Sequence, residues 1–283
     1  MMAKPNTRKR MRQFKNKLAT VFAYFCVIFC LFWLVWITAL IIYKGINGLS
    51  LATFTQMTPA PNEPGGLLNA IVGSFIVCII ATLIGTPLGV LSGIYLAEYG
   101  KKSFIAECLR TINDVLLSAP SIVLGLFIFI VVVTPMGGFS AIAGALALSL
   151  LQIPVVIRTT ENMLQMVPNH LRESSAALGL PKYKSILHVT LKASWSGILT
   201  GLLLSIARIA GETGPLLFTS LNNQFWNIDI TEPTATLPMV IYKFALSPYQ
   251  NWIDLAWAAV LIITVSILLL NLIARYAVNK SKA

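Results

Sequence analysis

Charge is scarce in this chain. Only 11% of its 283 residues are charged, whereas soluble globular domains carry about a quarter, and 57% are hydrophobic, with a mean hydropathy of +0.78. That shortage excludes an ordinary water-soluble globule. Cysteine is equally sparse: Cys26, Cys30, Cys78 and Cys108 form no CxxC pair and supply no disulfide framework. The two histidines, His170 and His188, stand without metal-ligand company, so neither a metal site nor a Ser-His-Asp triad can be argued. The single Gly-Lys dipeptide, Gly100-Lys101, has Tyr95 where a phosphate-cradling GxxxxGK[ST] loop needs its first glycine. No catalysis and no bound cofactor are expected of this chain. Basic residues outnumber acidic ones 21 to 10. Long uncharged runs separate them, so no soluble cationic face for nucleic acid is implied.

What is present is apolar length. Leu18–Tyr43, Pro64–Ala97 and Val115–Ile157 carry no charge, and Ala193–Ile228 carries only Arg208 and Glu212. A helix needs about 20 apolar residues to cross a bilayer. The third run is too long for one crossing, and Thr134-Pro135-Met136-Gly137-Gly138 supplies a turn within it. Six spans are predicted, at 18–42, 68–96, 116–134, 139–158, 194–220 and 254–276: an all-α, polytopic membrane protein. The divisions are a basic arm at 1–17, a first helix at 18–43, a core at 68–276 with a polar loop at 158–193, and a tail at 277–283.

Lysine and arginine set the orientation. Eighteen fall in the arm, the loops after spans two and four, and the tail, whereas Lys44 and Lys243 alone fall on the other side. Both termini are therefore placed in the cytoplasm. The first apolar run, 26 residues long, exceeds the 7–15-residue core of a secretory signal and reads as a retained helix.

Gly85, Gly89 and Gly93 in span two, and Gly197 and Gly201 in span five, repeat at steps of four, the spacing at which helix backbones approach closely in lipid. Pro87 should kink span two. Cys26 and Cys30 read as small apolar fillers. Span five adds polar groups: Gly197, Gly201, Ser205, Arg208 and Glu212 fall on one predicted helical face. An arginine at membrane depth is costly unless it faces protein or water. Arg208 and Glu212 therefore either neutralise each other at a subunit contact or line a polar pathway with Ser205.

The polar loop is patterned. Asn169 reads as an N-cap, with Glu173 near the first turn. Gly179 ends that helix and Pro181 opens a second one. Leu178, Leu180, Tyr183, Ile186 and Leu187 form an apolar stripe, suited either to docking or to a lipid surface.

This loop resembles the signature of ABC-importer permeases: Glu-Ala-Ala, three residues, Gly, nine residues, Ile-x-Leu-Pro. Here it reads Glu173-Ser174-Ser175, Gly179, then Val189-Thr190-Leu191-Lys192. Ala207-Arg208-Ile209-Ala210-Gly211-Glu212-Thr213, Pro215–Thr219, Leu221–Trp226, Lys243-Phe244-Ala245, Leu255-Ala256-Trp257 and Ala119–Val123 extend the likeness to A-type permeases of high-affinity phosphate importers. The resemblance runs from about residue 68 to the C-terminus. It implies the six-helix type I permease architecture, a C-type permease partner, two cytoplasmic ATPase subunits that bind the ATP, and a periplasmic phosphate-binding protein, in the bacterial inner membrane. Glu173, Ser174, Ser175 and Gly179 would couple to the ATPase. Arg208, and with it Glu212, would serve phosphate passage. Guanidinium suits that task because its fork of N–H donors matches two oxygens and keeps its charge. Glu212 would then either accept the P–OH proton of a partly protonated phosphate or hold Arg208 until substrate arrives. The competing readings are a permease for sulfate or molybdate, an ion-coupled secondary transporter, for which no internal repeat is evident, and a membrane scaffold.

Overall fold

The computed structural model describes residues 7–100 and 103–280, whose regular elements are all helices, with no strand among the described residues. Helix α1 spans Thr7–Asn47. No proline or glycine interrupts it before Gly45, so residues 7–17 of the expected basic arm continue the helix instead of standing apart. At about 1.5 Å per residue its 41 residues run to about twice the hydrocarbon thickness. Near its end it meets the last helix, α10 (Gln250–Lys280): a methyl group on Gly45 would lie 2.7 Å from Leu261 Cβ. Most of α1 is bare, and Cys26 and Cys30 are exposed on it, so neither fills a core within this chain.

A short helix α2 (Leu51–Thr55), closed by reciprocal Ser50–Thr53 capping bonds, leads to α3 (Leu68–Ile94), which contains Pro87 and ends in a π-helical turn at Tyr95–Tyr99. Next come α4 (Phe104–Ser118) and α5 (Ser121–Met136), which bend by 106° between them. The predicted span 116–134 therefore contains a break. Pro120 has no N–H to continue the helix and holds Ala119 extended at φ −66°, ψ 135°; an apolar run does not reveal such a corner. Helix α6 (Ala141–Gln165) follows, then α7 (Asn169–Ala177), α8 (Lys182–Ala210) and α9 (Leu237–Ala245). With the bent pair counted as one, the described residues hold six segments long and apolar enough to cross a membrane.

The core is built on α3 and α6, which run parallel and in register. Gly85, Gly89 and Gly93 face Gln152, Val156 and Thr160; a methyl group on Gly89 would sit 2.6 Å from Val156 Cβ. Helix α8 packs antiparallel on the same helix, Gly197 against Met163 and Gly201 against Thr159. The small-residue faces thus seat the two neighbours of α6, as the spacing predicts.

Candidate functional site

Ser205 lies opposite Gln152, near the middle of α6. It is buried, and the Gln152 amide donates to Ser205 Oγ at 3.3 Å and to Thr86 Oγ1 at 3.2 Å. Ser205 therefore joins α3, α6 and α8 in a sealed polar contact and presents nothing to an open path. One turn on, Arg208 stands at the margin of this packed face with its side chain half exposed.

Helix α8 stops at Ala210, ten residues short of the predicted end of span five. Gly211 caps it, and Pro215, which has no N–H, disfavours helix at Gly214. Glu212 is consequently off the helix, in an unwound segment, and not on the helical face expected from its spacing. The ion pair still forms, loosely: Arg208 Nε lies 3.7 Å from Glu212 Oε1, with the Glu212 side chain 20% exposed.

This unwound segment meets the bend between α4 and α5. Pro215 packs so tightly on Gly125 that a methyl group there would lie 2.6 Å from Pro215 Cα. Ile209 and Leu216 share one apolar cluster with Leu116 and Ala119. Gly214 lies beside Ser121 and Ile122, the first residues of α5, whose amides have no partner within the helix. The segment that leaves α8 thus meets the N-terminus of α5 at Gly214, two residues past Glu212. A cavity of about 780 Å³ lies against Ile206, Ala207 and Ala210 of α8, and its lining is mostly apolar, with the hydroxyls of Ser74, Thr82 and Ser266 but no charged group. It offers no cation to an anion.

Past the end of α6, α7 begins at Asn169 after Pro168, with no side-chain cap. Asn169 is thus the first helical residue and not the N-cap; its Oδ1 accepts from Arg172. Gly179, at φ +77°, closes α7 with paired bonds from Leu180 N to Ser175 O and from Gly179 N to Ala176 O. Pro181 then precedes α8. Glu173, Ser174 and Gly179 are exposed, whereas Ser175 is buried and hydrogen-bonded to Ser185. Of the apolar stripe, Ile186 is buried, and Leu178, Tyr183 and Leu187 project outward.

The residues that hold this elbow escaped the sequence reading. Arg172 donates to Glu98 Oε1 at 2.7 Å and to the carbonyls of Leu164 and Val167. Lys182 donates to the Glu98 carbonyl at 2.8 Å and lies over the Tyr99 ring. Arg110 pairs with Glu161 at 2.8 Å. A signal existed: Glu98 and Glu161 sit at the ends of apolar spans, and a buried acid needs a cation.

The family described as "binding-protein-dependent transport system inner membrane component" matches residues 85–282. The phosphate transport system permease protein PstA of Yersinia pestis is 58% identical over 283 residues, covering 100% of this chain and 96% of that one. PstA of Haemophilus influenzae is 54% identical, covering 97% and 98%, and PstA 1 of Mycobacterium tuberculosis (H37Rv) is 36% identical, covering 93% and 87%. Among solved structures, a bacterial ABC transporter that imports the acidic polysaccharide alginate aligns with a TM-score of 0.65 at 15% identity, covering 95% of this chain and 99% of that one. The inward-facing MetNI methionine ABC transporter aligns at 0.60 and 16% identity, covering 76% and 94%. The architecture is the type I ABC-importer permease fold.

Proposed function

The chain belongs to the family of binding-protein-dependent transport system inner membrane components, and on that premise we propose that it is the A-type permease subunit of an ATP-driven importer of inorganic phosphate. One observation carries the reading: in a chain 58% identical over its whole length to a phosphate permease, a half-exposed guanidinium stands in the last turn of α8, where the helix gives way to the segment that packs on the start of α5. Irregular backbone at membrane depth is tolerated where it is buried in protein or lines a cavity, and broken helices with exposed ends are a recurrent way to bind ions there.

In this reading Arg208 receives phosphate oxygens as the anion sheds water. The first turn of α5, with its unpaired amides and positive dipole end, adds a second electropositive wall. Glu212 keeps a free oxygen, because its approach to Arg208, at 3.7 Å, is longer than a hydrogen bond. It accepts the P–OH proton, which phosphate has at neutral pH and sulfate lacks.

The chain provides the gate and its partners the energy. A C-type permease closes the pathway from the other side, two cytoplasmic ATPase subunits bind and hydrolyse ATP, and a periplasmic phosphate-binding protein delivers the substrate. Both termini and the elbow at 173–179 face the cytoplasm, where eighteen of the 21 lysines and arginines fall. Docking of the exposed Glu173–Gly179 bend to the ATPases differs between nucleotide states and so biases the gate. The test is reconstitution of the complex in vesicles with labelled phosphate. ATP-dependent uptake that excess sulfate does not compete supports the assignment; uptake that sulfate or molybdate blocks, or that persists without ATP, overturns it.

A further inference from the structure

Both limbs of the cytoplasmic elbow grip one residue of α3. Arg172, immediately before the exposed stretch, bonds the Glu98 carboxylate through Nε and Nη2. Lys182, immediately after Pro181, bonds the backbone carbonyl of the same Glu98 and rests on the ring of Tyr99, 4.2 Å from its centre. The Glu98 side chain is 5% exposed and that of Arg172 18%. Glu98 sits in the π-helical turn that ends α3, and such turns often occur at functional sites. From there α3 runs, packed in register on α6 at Gly93, Gly89 and Gly85, to the level of Gln152 and Ser205, one turn from Arg208.

We propose that Glu98 is the positioning residue through which the elbow moves α3: the Arg172–Glu98–Lys182 latch makes the bend and this helix one mechanical body. The alternative route, through the connection into α8, reaches α3 only through the side-chain packing of Ile198 and Leu202 on Ala97, Val90 and Ile94 and through the Gln152 contact, with no charged grip on α3. A buried carboxylate gripped through both its side chain and its backbone cannot lag behind either limb. Displacement of the bend by the ATPases is thereby delivered to the helix packed along α6. The inference rests on the importer reading above and adds to it the element that receives the stroke.

The test compares wild type, Glu98→Gln, Arg172→Gln and the double variant in the reconstituted complex, measuring complex yield, basal ATP hydrolysis and phosphate moved per ATP. Glu98→Gln keeps the shape and loses the ionic grip. Its expected result is an assembled complex with basal hydrolysis intact and at least a tenfold fall in phosphate moved per ATP. The double variant should be no worse than either single one, because both break the same link. Lys182→Ala, at an exposed position, removes the second grip alone; it should lower the ratio less, with yield unchanged. An unchanged ratio in Glu98→Gln, or additive losses in the double variant, overturns the latch. If Glu98→Gln fails to assemble, Lys182→Ala decides: an unchanged ratio there overturns the proposal too. Absence of ATP-driven uptake in the wild type would instead sink the importer reading itself.

Discussion

Replacing Arg208 separates passage from architecture. Its pair with Glu212 is long, at 3.7 Å, and its side chain is 49% exposed. Exposed pairs of this kind contribute about 0–1 kcal/mol to stability. Arg208→Ala should therefore leave the assembled complex and its thermal midpoint nearly unchanged. The transport cost is larger. A guanidinium fork makes two charge-assisted bonds to a phosphate, each about 1.5–3 kcal/mol; losing both removes about 3–6 kcal/mol, or roughly a hundredfold to ten-thousandfold in uptake rate. Arg208→Lys keeps the charge but not the fork, so it should lose one bond and about ten- to a hundredfold. Uptake of labelled phosphate per assembled complex reads both variants directly. Uptake within threefold of wild type in Arg208→Ala would refute the reasoning. A complex that no longer assembles would also refute it, by making the pair a subunit contact.

Glu212→Gln, which replaces an acceptor-only carboxylate by a neutral amide that can donate to a fully ionised oxyanion, should let sulfate compete with phosphate at least tenfold better, read as the inhibition constant for sulfate in the same vesicles. Glu173→Lys lies on the exposed face of α7; membrane insertion should survive it, while uptake falls with basal ATP hydrolysis retained. Gly73→Ala and Gly201→Ala create equal initial overlaps, 2.0 Å from the Ala235 carbonyl oxygen and 2.0 Å from Thr159 Cγ2 respectively. Overpacking costs about 1–3 kcal/mol; the first should stay at the high end, while Thr159→Ser should restore part of the second, as thermal unfolding in detergent would show.

The crossing segments were legible because uncharged length is a one-dimensional property, and the glycine steps of four correctly named the faces that meet α6. Breaks inside the runs were not. Pro120 was visible, but hydropathy carries no information about direction, and the 106° corner left no mark in the apolar count. At the end of α8 the period through Gly201, Ser205 and Arg208 was extended to Glu212, although Gly211 and Gly214-Pro215 already spelled a stop. The Gly179 turn was readable because its chemistry is local. The Arg172–Glu98 pair joins residues 74 positions apart, and nothing in the sequence near either of them names the other.

The two breaks are treated differently by the rest of the chain, which decides where an anion can be received. Ending α8 early releases the segment after Glu212, and that segment is used to close the start of α6. Ser140 N donates to Thr219 O, Ala141 N to Glu232 O, Ile142 N to Ile230 O, and Ala143 N to Ser140 Oγ. Every leading amide of α6 is thereby occupied, and its dipole end is screened by carbonyl oxygens. The start of α5 receives no comparable closure: Val123 N turns back to Pro120 O, while Ser121 and Ile122 stand beside Gly214. Of α5 and α6, only α5 leaves leading amides open beside the unwound segment, at Gly214. In the proposed reading an anion drawn by the guanidinium would be steered toward the bend and away from the sealed contact at Ser205. In that same reading the carboxylate of Glu212, in the segment past Gly211, lies on the same approach and would screen which anions are accepted.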